Sequence, residues 1–199
     1  VARLKWTDDD KAKLLEFKEL IDFDNIKVKE QIKCILLQNK YIIHVLHNKE
    51  LEEADAEPDD YFGECILPYY MINPSQSSVK NFLCYEINFD ELQRYNSAIK
   101  KLEIVFHILC HHHDLNDRET GIARHDLLAA LIQDQFNYTN YFGNKIKLIS
   151  DVASIVDTDY ACRTLIFQQQ TDNNVIKTRN SVPRFANKDL IIRAEESQS

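Results

Sequence analysis

Apolar residues recur along this chain with two different periods, and the change of period divides it. Behind Thr7-Asp-Asp-Asp10, which has the spacing of a capping box, Leu14, Leu15, Phe17, Leu20 and Ile21 form a stripe at helical period. Asp22 to Asn25 interrupts the stripe, and Asp24 or Asn25 can cap a second helix carried by Ile26, Lys29, Ile32, Lys33, Leu36 and Leu37. Gln38-Asn39-Lys40 ends that helix, and a short third one runs from Tyr41 to Leu46. Residues 49–60 are acidic without periodicity and predict a solvated loop. A calcium loop of EF-hand type would need regularly placed oxygen ligands and a glycine at its bend, and both are missing there.

From Cys65 the pattern shortens to that of strands. Ile66 to Ile72 predicts a first strand, in which Pro68 marks an edge or a strand start because it cannot donate to a ladder. Phe82 to Ile87 predicts a second. Lys101 to Cys110 predicts the strongest, with Leu102, Ile104, Phe106 and Ile108 alternating onto one face. A charged loop from Asp114 to Thr120 leads into a helix over Gly121 to Asn137, whose buried face is Leu127, Leu128, Leu131, Ile132 and Phe136. Tyr138 to Phe142 turn the chain, with Gly143 in a left-handed conformation. Lys145–Ile149 and Ala161–Gln169 predict two last strands, joined by an aspartate-rich link from Ser150 to Tyr160. From Thr171 the chain turns polar, apart from Leu190-Ile-Ile192, and reads as an arm that orders against a partner. The fold class is α+β, a mixed and mainly antiparallel sheet of about four to five strands flanked by helices. Residues 1–48 supply N-terminal helices, 49–172 the core on which the helices from 26 onward pack, and 173–199 the extended C-terminal arm.

The length of 199 residues suits one domain with an appended arm. No apolar run reaches the roughly 18 residues of a membrane span, and the first residues lack a signal-peptide core, so the expectation is a soluble, unsecreted protein. A net charge of −8 argues against a general phosphate-backbone binder, though not against a wall past which DNA slides. Cys34, Cys65, Cys84, Cys110 and Cys162 are dispersed and odd in number, which predicts reduced, buried thiols made in a cytosol. Three glycines leave no phosphate-cradling loop.

Candidate chemistry centres on histidines. Cys110-His-His-His-Asp114, with His107 upstream and His125-Asp126 downstream, resembles a ligand set, and His111, His113 and His125 are the metal candidates. A catalytic zinc needs three ligands converging on one tetrahedral site, and this spacing is not one that does so on a single element. His125-Asp126 beside Arg124 has acid–base chemistry but no nucleophile motif near it. Asp126 at a helix start complements the helix dipole. Asp157, Asp159 and Glu119 could be asked to hold two metals, yet no nuclease lysine accompanies them, and Arg163 is placed to pair with one of them. Phe136, Tyr138, Tyr141 and Phe142 could stack nucleobases, but the cationic groove such a platform needs is missing, which favours core or subunit contact.

Three segments carry a resemblance: Pro68-Tyr-Tyr70, Arg124-His-Asp-Leu-Leu128 and Asp159-Tyr-Ala-Cys-Arg-Thr-Leu-Ile-Phe167. In their order of elements, residues 26–172 resemble the tail-completion and tail-terminator proteins of tailed bacteriophages, and most nearly the neck proteins of phages of gut bacteria. The resemblance implies a cofactor-free virion protein of the neck or tail, made in the host bacterial cytoplasm. It implies a homo-oligomeric ring of six or twelve copies between portal or adaptor and tail, with DNA passing through the lumen and no membrane involved. On that reading the contact residues are Pro68, Tyr69, Tyr70, Tyr141, Phe142, Asp157, Asp159, Arg163, Arg184 and Phe185. The alternative is a zinc-dependent hydrolase or nuclease acting through the histidines between 107 and 125.

Overall fold

A computed structural model describes residues 7–15, 24–71, 79–91, 99–156 and 159–172. The expected α+β class holds, with five helices and a five-stranded sheet among these residues. The elements are α1 (Asp8–Leu15), α2 (Asp24–Gln38), α3 (Lys40–Leu46) and α4 (Lys49–Glu53), then β1 (Ile66–Leu67), β2 (Phe82–Glu91), β3 (Ile99–His111), α5 (Arg124–Phe136), β4 (Lys147–Ile155) and β5 (Tyr160–Asp172). The sheet order is β1-β2-β3-β5-β4, with β1 parallel to β2 and every other pair antiparallel.

The strongest sequence signal becomes the centre of the sheet. Leu102, Ile104, Phe106 and Ile108 of β3 are fully or almost fully buried on one face, beside Leu83 and Tyr85 of β2 and Leu165 and Phe167 of β5. Helices cover this face. Val28, Ile32 and Leu36 of α2 and Leu128, Ile132 and Phe136 of α5 each fall one turn apart and enter the same core. Phe106 sits among rings, 5.1 Å from Phe136 and 5.8 Å from Phe167 between centroids, the latter edge to face. The opposite face holds a smaller cluster of Leu67, Phe82, Cys84, Leu109, Tyr160 and Cys162, to which no helix residue contributes among the described residues.

Side-chain caps explain why the helices break where they do. Asn39 accepts hydrogen bonds from the backbone N–H of Tyr41 and Ile42, so the residue that stops α2 also starts α3. His47 closes α3 in a left-handed conformation, and Asn48 then caps Glu50 and Leu51. The segment expected as an acidic loop over 49–60 is therefore partly helical: Asn48 nucleates α4, and Glu50 and Glu52 in its first turn suit the positive end of the helix dipole. A 3-10 turn over Pro58–Tyr61 follows.

Other boundaries move as well, β2 running on to Glu91 and β5 to Asp172. The strand expected over 66–72 pairs only at Ile66 and Leu67, because Pro68 has no N–H to extend the ladder. The helix expected from Gly121 starts at Arg124, behind Ala123. The link expected over Ser150–Tyr160 is strand as far as Ile155. A β-bulge between Leu148 and Ser150 shifts the alternation by one residue there, which hides the continuing strand from a reading by period. Gly143 has φ of 95°, the left-handed position expected of it. Phe17, Leu20, Ile21, Asp157 and the arm over 173–199 lie outside the described residues.

Candidate functional site

Two edges bound the sheet, and they differ in kind. On β1, the N–H of Gly63 donates to the Ile66 carbonyl at 3.0 Å, so the turn before the strand occupies its outer side. On β4, nine residues long, no strand pairs with the outer side among the described residues. Ile149, Val152 and Ile155 are 52%, 54% and 83% exposed there. A long edge bearing exposed β-branched side chains is a template for another strand.

A charged clamp fixes that edge to the body. Arg163 of β5 grips Asp151 of β4, with Nε to Oδ1 at 2.7 Å and Nη2 to Oδ2 at 2.9 Å, and its Nη1 bonds Asp126 at the start of α5. Gln133 of α5 donates to Asp151 Oδ2 at 2.9 Å. The guanidinium holds the Asp151 carboxyl below the usual carboxylate range, and the two carboxylates raise Arg163 in turn. Arg163, expected to pair with Asp157, Asp159 or Glu119, is thus engaged by Asp151 and Asp126, and Asp157 lies outside the described residues. Continuation of β4 pairs Asp151 with Leu165, two residues along β5 from the arginine and on the same face, within reach of its guanidinium.

The histidines lead to a second polar group. His111, His112 and His113 stack on one another at the end of β3, with centroids 3.9 to 5.3 Å apart. His111 Nδ1 accepts from the His113 backbone N–H at 3.2 Å, and the edge of Tyr160 meets its ring. Burial and the neighbouring imidazoles push the His111 pKa down. His125 faces Asp126 from 3.5 Å, on α5. His107 contacts Thr164, Glu86 and the ring of Tyr70, and burial lowers its pKa too. Among the described residues, no group of three or more His, Cys, Asp or Glu side chains is placed to hold a metal ion.

Arg124, read beside His125-Asp126 as possible acid–base chemistry, is a buried tie. Only 4% exposed, it reaches the Val45 carbonyl, Asp114 and Asp117. Asp114 also meets His47 at 2.7 Å and accepts from Asn81 at 2.9 Å. Asn81, wholly buried, spans the Leu46 carbonyl and the His111 N–H. Hydrogen bonds from Thr120, ahead of the charge of Arg124, hold Asp117 below the usual carboxylate range. This network joins the ends of α3 and β3 to the start of α5. Sequence reasoning missed Asn81 and Asp117, since polar residues in loops carry no periodic mark of burial, and it read Asp114 as part of a metal-ligand cluster where the structure pairs it with His47, Asn81 and Arg124.

The contact candidates scatter. The Pro68 carbonyl accepts from Lys29 Nζ at 2.6 Å, while Tyr69 and Tyr70 are exposed. Tyr141 is exposed and accepts from Gln135, and Phe142 is partly buried against the main core. Asp159 is exposed, and its carbonyl accepts from the His112 N–H at 2.8 Å. Arg184 and Phe185 lie outside the described residues.

No curated protein matches the chain. The family model YomW matches residues 39–169, from the cap residue of α3 to β5. The chain belongs to this YomW family, whose name is that of a phage-derived Bacillus gene and associates the protein with phages.

Proposed function

We propose that this chain is a structural protein of a tailed-phage virion. It assembles as a ring of six or twelve copies in the neck or at the tail end, joining portal or adaptor to tail around the DNA channel, and carries no catalytic role. The observation that carries this reading is the β4 edge. A closed ring needs heterologous contacts, one face of each copy meeting a different face of the next. A nine-residue strand with an unpaired side among the described residues offers main-chain hydrogen bonds for such a contact, and Ile149, Val152 and Ile155 add apolar area. The phage association of the family and the acidic net charge of −8, suited to a lumen past which DNA slides, support it further.

Light scattering and negative-stain microscopy of the purified full chain test the proposal. Closed rings of six or twelve copies are expected. A monomer at every concentration, or a tightly held zinc that supports hydrolysis and is lost with His111→Ala or His125→Ala, would overturn it.

A further inference from the structure

Body and tail of this chain carry opposite charge. Residues 173–193 hold Lys177, Arg179, Arg184, Lys188 and Arg193 against a single carboxylate, Asp189, in a chain whose net charge is −8. Apolar residues are interleaved with these cations, as in Val182-Pro-Arg-Phe185.

A surface of complementary character lies among α2, α3 and the 3-10 turn, where a groove of about 920 Å³ opens. Leu37, Ile43, Tyr61 and Cys34 line its apolar part, and Glu30, Glu52, Glu57 and Asp59 its acidic part. The two lysines of its lining are drawn onto rings: Lys33 Nζ lies 4.5 Å from the Phe62 centroid, and Lys40 Nζ 5.1 Å from that of Tyr41. Carboxylates continue from the rim over α4 and beyond it, with Glu50, Glu53 and Asp55 exposed.

We propose that this groove is the docking site of the chain's own C-terminal segment, residues 173–193. Its cations meet the carboxylates of the wall, and Val182, Pro183 and Phe185 lie over the accessible apolar lining at Ile43 and Cys34. Extended, the segment reaches roughly 70 Å, enough for the groove of its own copy or of a neighbour. The inference therefore does not depend on ring formation. Exposed ion pairs across such a contact are screened by salt, so docking weakens as ionic strength rises.

Cys34 is a built-in reporter. Against the expectation of five buried thiols it is exposed and lines the groove, whereas Cys65, Cys84, Cys110 and Cys162 are buried. In the full chain, maleimide labelling of Cys34 is expected to be slow at low salt. Arg179→Glu with Arg184→Glu and Lys188→Glu should speed it at least threefold, and a synthetic peptide of residues 173–193 should slow it again. Arg179→Lys with Arg184→Lys should stay near the parent rate. Equal rates in the parent and the reversed variant would overturn the proposal, and a loss of DNA retardation at unchanged labelling would assign the tail to nucleic acid instead. Light scattering on the same samples keeps the ring question separate: a monomer with a shielded Cys34 removes the ring and leaves the groove occupied.

Discussion

The β1 edge is short and covered, whereas the β4 edge is long and bare among the described residues. Ile66 and Leu67 are 0% and 3% exposed, and the turn at Gly63 bonds back onto Ile66. Pro68 then ends the ladder. Edge strands invite unwanted pairing, and shortness, proline and a covering loop are recognised means of blunting them. β4 uses fewer of these devices. It has a lysine at its start and a bulge after Leu148, yet Ile149, Val152 and Ile155 stand in solvent. One end of the sheet is built to stop growth. The other is tied down by the Arg163 clamp and, among the described residues, has no strand on its outer side.

The sealed edge is where substitution should cost most in stability. Ile66 is fully buried in the main core, so Ile66→Ala removes packed methyl groups and leaves a cavity. A loss of about 2–5 kcal/mol is expected in denaturant unfolding, with the oligomeric state of the folded fraction unchanged. A loss below about 1 kcal/mol would mean that β1 is peripheral, and the contrast between the edges would lapse.

How far the sequence revealed these edges depended on what it could encode as a pattern. β3 was legible because Leu102 to Ile108 alternate over a buried face, and α5 because its apolar residues repeat at helical spacing. α4 was hidden, since its helix depends on one cap, Asn48, and its residues are too acidic to show an apolar stripe. The second half of β4 was hidden twice. The bulge at Ile149 reverses the alternation, and the exposed residues beyond it follow no apolar code at all. That half is the part of the sheet to which the proposed function attaches. The clamp was half legible: Arg163 stood out as a cation seeking an aspartate, but its partners depended on strand register.

Releasing the clamp should have an intermediate effect. Arg163→Met removes the bonds to Asp151 and Asp126 and is expected to cost about 1 kcal/mol, because solvent screens the half-exposed Asp126 end. Its pH dependence has a definite sign. Asp151 has a folded pKa below the unfolded carboxylate value of about 3.9, so its contribution is complete above that value and fades as pH falls through the folded pKa. Acid unfolding of the parent should therefore lose this share below about pH 4. The variant should show a shallower acid limb, retaining the part due to Asp117, which has the same sign. Coincident acid limbs would show that the clamp does not stabilise the fold.

Charging the bare edge should change stability least. Val152 and Ile155 are 54% and 83% exposed, so lysine at either position removes little packing, and a change within about 0.5 kcal/mol is expected for Val152→Lys with Ile155→Lys. Assembly should respond otherwise. A partner strand that settles along β4 would have to bury both ammonium groups or leave the ladder there, and the oligomer should fall to monomers at concentrations where the parent is fully assembled. The pairing of small stability change with lost assembly is what separates a docking edge from a merely solvated strand. If the double variant assembles as the parent does, β4 is not where copies meet, whatever ring the protein forms. A variant that unfolds instead would place Val152 and Ile155 in the core of the fold, against their exposure here.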